Sequence, residues 1–128
     1  MKLNYDCVRD LLLYLEENST YDNPININNL TLKDYSNLDL VYTADKLNEA
    51  NFISCIRSKY IDKAGPVLIA KSITYNGHQF LDTVRDEKVY TETKSALSSF
   101  KSVSIEIFTE TASKVLTSLI SKQLGLPN

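Results

Sequence analysis

The sequence predicts a mainly helical α+β fold in which a helical core is bordered by a two-stranded hairpin and extended by further helices. Three observations carry this. Apolar side chains recur with a helical period at Val8, Leu11, Leu12 and Leu15, and again at Ile105, Phe108, Ala112, Val115 and Leu119. Two apolar, β-branched runs, residues 52–58 and 67–73, flank a segment containing Ala64-Gly65-Pro66. Between the second run and the next helical pattern the chain reads Ile73-Thr74-Tyr75-Asn76-Gly77, a strand that turns abruptly into a helix.

Taken in order, the first helix is expected over residues 5–17, with Asn4 as its cap and Asp6 and Asp10 towards its positive end. A short extended piece, Ile25-Asn26-Ile27, follows Pro24. Residues 30–50 predict two helices, a short one over 31–35 and a longer one capped by Ser36, with Asp39 three residues on. In the longer helix Leu40, Val41, Ala44 and Leu47 form the buried stripe, which leaves Asp39, Tyr42, Thr43, Lys46 and Glu49 outside. Residues 59–66 are expected as a loop too long for a tight hairpin but suited to a wing. Thr74 caps the next helix, whose stripe is Gly77, Phe80, Leu81 and Val84. The pattern breaks over residues 86–88, resumes to residue 98, and ends in the long amphipathic helix that Gly125 and Pro127 terminate.

Length and composition narrow the class. A chain of 128 residues predicts one domain, and 43% apolar with 23% charged residues is an ordinary globular composition. Cys7 and Cys55 both lie in apolar segments, so two buried free thiols are expected rather than a disulfide framework. The charged N-terminus does not read as a signal peptide and no run approaches a membrane span, which predicts a cytoplasmic protein with no membrane partner. A net charge of −2 argues against a strongly basic nucleic-acid binder. The charge is uneven, however: residues 1–30 carry two basic and five acidic side chains, whereas Arg57, Lys59, Lys63 and Lys71 face only Asp62 over residues 53–72.

Helix, short strand, two helices, hairpin, helix is the order of a winged helix-turn-helix, here with additional C-terminal helices. Residues 1–86 are read as the winged-helix core and 87–128 as a helical extension of the same domain. The segment Ile73-Thr74-Tyr75-Asn76-Gly77-His78-Gln79-Phe80-Leu81-Asp82, with Arg85-Asp86 behind it, resembles a family of short bacterial, phage and prophage proteins marked by an Ile/Leu-Thr-x-x-Gly-His-x-Phe-Leu-Asp motif. Leu47-Asn48-Glu49-Ala50-Asn51-Phe52-Ile53 fits that family's earlier helix, with Asn where Gly is usual, and Lys122-Gln123-Leu124-Gly125-Leu126 fits its ending. The resemblance implies a winged helix of mobile-element origin and brings no activity or site.

Active-site chemistry is not legible. Gly65, Gly77 and Gly125 are too sparse for a phosphate-cradling loop. His78, the only histidine, stands one helical turn from Asp82, and the expected role is a packed helix-terminal imidazole bonded to Asp82 or a carbonyl. Cys7, Cys55 and His78 have no metal-ligand spacing, so neither a catalytic residue, a metal nor a cofactor is predicted. A binding module remains, and two partners stay open. If the partner is DNA, Tyr42, Thr43 and Lys46 of the second helix and Arg57, Lys59, Lys63 and Lys71 of the wing are the candidate contacts. Against that, residues 31–50 carry two lysines and four acids, with no arginine to read guanine. The alternative is a host protein bound on the same scaffold. The spacing of Ile105, Phe108, Ala112, Val115 and Leu119 also predicts a heptad seam that either joins two copies or folds back onto Val8, Leu11 and Leu15.

Overall fold

Helix α1 (Tyr5–Asn18) starts where Asn4 leaves the helical conformation and its side chain accepts from the amides of Asp6 and Cys7, at 2.9 and 3.4 Å. The computed structural model describes residues 1–62 and 65–127. Within them β1 (Ile25–Asn26), a 3₁₀ turn (Ile27–Asn29), α2 (Asn37–Glu49), β2 (Ile53–Asp62), β3 (Gly65–Ile73), α3 (Tyr75–Val84), α4 (Glu87–Leu97) and α5 (Ile105–Gln123) follow. The fold is α+β and mainly helical, with one antiparallel sheet in the order β1-β3-β2. The chain divides into two units, Met1–Gln79 and Phe80–Asn128, and passes from one to the other within α3.

In the first unit the apolar stripes do the work the sequence assigns them. Cys7, Val8, Leu11, Leu12 and Leu15 of α1 are buried, as are Leu40, Val41, Ala44 and Leu47 of α2 and Leu68 and Ala70 of β3. These three elements pack on one another. Asparagines extend a sheet whose first strand is only two residues long. Asn28 accepts from the Leu68 amide (2.9 Å) and donates to the Pro66 carbonyl (3.0 Å), so its side chain continues the β1–β3 ladder. Asn37 in turn donates to the carbonyls of Asn28 and Leu30, tying the start of α2 to the same turn.

The short helix expected over residues 31–35 does not form. The helical turn comes earlier, at Ile27–Asn29, and the following segment is pinned to α1 by side chains instead. The Tyr35 hydroxyl donates to Asp10 Oδ2 (2.7 Å), and Lys33 Nζ lies 3.1 Å from the same oxygen. Lys33 takes φ +48°, a left-handed conformation that a continuous helix excludes. The expected wing loop over 59–66 is also corrected. Both strands run on, to Asp62 and from Gly65, and residues 63 and 64 lie outside the described residues. The register moves from Arg57↔Leu68 to Ile61↔Pro66, four residues of β2 against two of β3. That bulge is what lets a segment with broken alternation remain strand.

The close backbone approach expected at Gly77 is present. A Cβ there would stand 2.0 Å from the Phe52 carbonyl oxygen and 2.7 Å from Ile73 Cγ2. Around it, Phe52 donates its amide to Leu47 (2.8 Å) and accepts from the Thr74 amide (3.0 Å), while the Thr74 hydroxyl accepts from Gly77 (3.1 Å). Asn51 takes φ +61°, the left-handed helix exit that glycine favours and asparagine tolerates.

In the second unit Asp86 caps α4 by accepting from the Val89 amide (3.0 Å), and Ser104 caps α5 by accepting from Ile107 (3.2 Å). The two helices pack together, with the Tyr90 and Phe108 rings 5.7 Å apart at 53°. Thr93 is buried and returns its hydroxyl to the Val89 carbonyl (2.7 Å), so no polar atom is stranded there.

Two outcomes follow for stability. Replacing glycine by alanine in an exposed helix gains about 1 kcal/mol. Here the added methyl meets a carbonyl oxygen, so Gly77→Ala should instead destabilise by about 3 kcal/mol, read from urea unfolding midpoints. Burial, then the hydrogen bond to Asp10, raises the Tyr35 phenol above its ordinary 10.0. The contribution of a raised group is complete below its unfolded value and is lost as pH rises through the folded one. The stability gap between the native chain and Tyr35→Phe should therefore be constant below pH 10.0 and shrink above it, as alkaline melting curves would register.

Candidate interaction surface

The residues expected to contact a partner do not form one cationic face. On α2, Lys46 Nζ lies 2.7 Å from Glu49 Oε2 and 5.5 Å from the centroid of the half-buried Tyr42 ring. The Glu49 hydrogen bond raises the Lys46 ammonium, which keeps it charged and engaged on its own helix. Thr43, expected on the outer face, is 2% exposed and donates its hydroxyl to Cys7 Sγ at 3.4 Å. The buried stripe is wider than expected and takes in Thr43, which is not available to a partner.

Beside α2, Arg57 Nε is 3.3 Å from Asp45 Oδ1, so the first cation of the hairpin is held by a carboxylate of the neighbouring helix. Lys59 is exposed and meets no carboxylate among the described residues. Lys63 lies outside the described residues. Lys71 sits at the other end of β3, six residues and hence roughly 20 Å along the strand from Gly65. There it lines a cavity with Glu16 and His78.

Beside these cations the hairpin exposes apolar side chains. Ile56, Tyr60 and Ile61 are 54%, 72% and 78% exposed, on the strand that forms one edge of the sheet. Reading residues 59–66 as loop hid the exposure of Tyr60 and Ile61 on a strand. The available signal was the pair Tyr60-Ile61, two strong strand formers inside the supposed loop.

The expected seam on α5 is only partly free. Phe108 is 3% exposed and Ala112 fully buried within the single chain, whereas Ile105, Val115 and Leu119 are half-buried. Phe108 meets the Tyr90 ring of α4, so neither it nor Ala112 can meet a second copy without leaving the interior. The more exposed apolar residues of this end are Ile107, Ile120, Leu124 and Leu126, off the expected seam.

His78 is not partnered as expected either. Asp82 accepts from Arg85 Nη1 at 2.6 Å, and the His78 Nδ1 lies 3.9 Å from Glu16 Oε2, beyond hydrogen-bond range. Among the described residues no three His, Cys, Asp or Glu side chains gather where they could hold a metal ion. No helix of the described residues is long and apolar enough to cross a membrane.

Residues 2–104 match the family described as Hypothetical protein (DUF2513). The chain belongs to this family. An uncharacterised protein of Haemophilus influenzae is 28% identical over 125 residues, spanning 98% of this chain and 100% of the relative. No solved structure matches. The DUF2513 match takes in α1 to α4, the sheet and the Gly77 approach, and stops one residue short of α5.

Both cysteines are free. Burial pushes the Cys7 thiol up, and burial with the Asp45 carboxylate nearby pushes Cys55 up to about 12. The thiolate is the reactive form, so at neutral pH both should label slowly with Ellman's reagent in the folded protein and rapidly once unfolded. Rapid labelling of either thiol in the native state would contradict this placement.

Proposed function

We propose that this DUF2513 protein is a non-enzymatic binding module of winged-helix type whose hairpin docks on a protein partner. The single observation that carries the reading is the exposed trio Ile56, Tyr60 and Ile61. Scattered apolar residues on a surface need no explanation, but three large ones within six residues of one edge strand, each more than half exposed, are a concentration of apolar surface. Tyrosine suits an interface in particular, since it buries a large ring and keeps a polar tip. The winged-helix assignment rests on the order α1, β1, 3₁₀ turn, α2, β2, β3 and on β3 lying between β1 and β2.

Charge supports a protein over DNA. The cations nearest the α2 face, Lys46 and Arg57, are paired with Glu49 and Asp45, and Asp39 adds a further acid on the same helix. A phosphate backbone would have to displace those carboxylates and would be repelled by them. If the chain has the mobile-element origin that its motif suggests, the partner is a protein of the host. Self-association through α5 is not part of the reading, because Phe108 and Ala112 are already buried.

DNA is the second reading, and Lys59 favours it, being exposed with no carboxylate to hold it among the described residues. On that reading each wing cation removed should flatten the salt dependence of duplex binding by about one unit.

A photo-crosslinking residue in place of Tyr60 separates the two. The expected result, in lysate of the native host, is one discrete protein adduct, competed by unlabelled chain and absent when the probe replaces the still more exposed Tyr21. Ile61→Ser should suppress the adduct while changing stability by less than about 0.5 kcal/mol. No competed adduct, together with duplex binding that weakens on Lys59→Ala, would replace the protein reading with the DNA one.

A further inference from the structure

The free edge of β2 says how a partner is held, provided the hairpin is the docking element. β2 is an edge strand, so one row of its backbone N–H and C=O groups faces away from β3. In an antiparallel pair those groups alternate: a hydrogen-bonded pair turns them inward, and the next pair turns them out. Which residues of β2 face out is fixed by their partners on β3.

The Leu68 amide donates to Asn28 Oδ1 (2.9 Å) and the Pro66 carbonyl accepts from Asn28 Nδ2 (3.0 Å), both on the β1 side of β3. Pro66 has no N–H to offer on either side. The residues opposite them, Arg57 and Ile61, therefore receive no ladder bond from β3 and turn their own amides and carbonyls to the open edge. Cys55, opposite Ala70, obeys the same parity, since its amide leaves the sheet for Asn48 Oδ1 of α2 (3.0 Å). That capping stops at Cys55. Among the described residues nothing accepts the Arg57 or Ile61 amide. The Tyr60 amide between them is already held by Ser58 Oγ (3.1 Å). Residues 57–61 are thus an open edge about as long as one ordinary strand.

The side chains along this edge choose the occupant. Lys59 is exposed with no described carboxylate to hold it, and Ile56 and Ile61, each more than half exposed, flank it. A second copy laid antiparallel over the same stretch would set Lys59 against Lys59, and like charges directly opposite destabilise a strand pair. Lysine and bulges are also how edge strands reject indiscriminate pairing, so a strand accepted here must answer the charge. We infer that an extended, acidic segment of the partner protein adds to the sheet along residues 57–61. It bonds to the backbone of Arg57 and Ile61, with a carboxylate at Lys59 and apolar residues against Ile56 and Ile61.

The probe is acetyl-Val-Glu-Val-Glu-Val-amide, titrated into the ¹⁵N-labelled full chain. Saturation should slow hydrogen exchange about tenfold at the Arg57 and Ile61 amides and leave Tyr60 unchanged, with Kd on the order of 1 mM for so short a strand. The lysine counterpart, acetyl-Val-Lys-Val-Lys-Val-amide, should bind about tenfold more weakly, and Lys59→Glu should invert that preference. A chain assembled by ligation at Cys55, with the α-hydroxy analogue of isoleucine at residue 61, keeps the side chain and loses only the outward N–H. It should melt with the all-amide chain yet bind the acidic peptide about fivefold more weakly. Strand addition is overturned if the acidic peptide leaves both amides exchanging freely, or if the lysine peptide binds as tightly. Crosslinking from residue 60 in host lysate separates this failure from that of the hairpin reading. An adduct formed in undiminished yield by the ester chain keeps the hairpin as docking element and overturns strand addition. No adduct from either chain removes both.

Discussion

One backbone contact organises the first unit. The Phe52 carbonyl oxygen occupies the place where any side chain at residue 77 would begin. That oxygen also accepts from the Thr74 amide, and the Phe52 amide closes the end of α2 on Leu47. The exit of α2, the first pair of the β2–β3 ladder (Ile53↔Ile73) and the start of α3 are therefore one hydrogen-bonded knot. Each of its polar groups has a backbone or hydroxyl partner, which is the condition for burying it without penalty. Loosening it would free the orientation of the hairpin relative to α2 and the placing of His78 beside the cavity together. Surfaces at both ends of the sheet depend on the same glycine.

The surface charges follow from how closely the elements are drawn together. Once β2 lies beside α2, Arg57 falls next to Asp45, and the wing cation that composition offers to phosphate is taken by the protein itself. Exposed pairs of this kind stabilise little, with typical values below about 1 kcal/mol. Their consequence is for recognition, since a partner must compete for each charge or avoid it. An apolar partner avoids it. Ile56, Tyr60 and Ile61 offer contact area that costs no ion pair to reach.

Much of the fold was legible because period and capping are local. The stripes of α1 and α2, the caps Asn4 and Ser36, and the close approach at Gly77 could be read from the chain, as could the antiparallel pairing of β2 and β3. The failures share a cause: side chains standing in for backbone partners across long separations. Tyr35 and Lys33 hold residues 30–36 through Asp10, about two dozen positions away, and no local propensity reports that. Asn28 replaces a strand residue by hydrogen-bonding to Pro66 and Leu68, so an asparagine-rich stretch that reads as loop functions as sheet edge. The bulge over Arg57 and Ile61 made ordered strand look aperiodic. Thr43 failed differently. A threonine one position from Ala44 fits either face of α2, and only the nearby sulfur of Cys7 shows why it turns inward.

β3 gives the molecule two separable surfaces. It is the central strand, paired with β1 near its foot and with β2 along most of its length. One end carries Tyr60 and Ile61 beside Pro66 and the other the cavity at Lys71, roughly 17 Å of strand apart. Substitutions that far apart, with no shared partner, act additively. Removing Tyr60 cannot change which charges face the cavity, and removing Lys71 leaves the hairpin's apolar face intact. Any coupling between the two ends would have to pass through the sheet as a change in register. The bulges at Lys71 and beyond Arg57 are the positions where that register is already broken. Pairing between them, from Cys55↔Ala70 to Arg57↔Leu68, is regular and backed by buried Leu68 and Ala70. A slip there would turn those two side chains out of the core, so the middle of β3 acts as a fixed strut between its two ends.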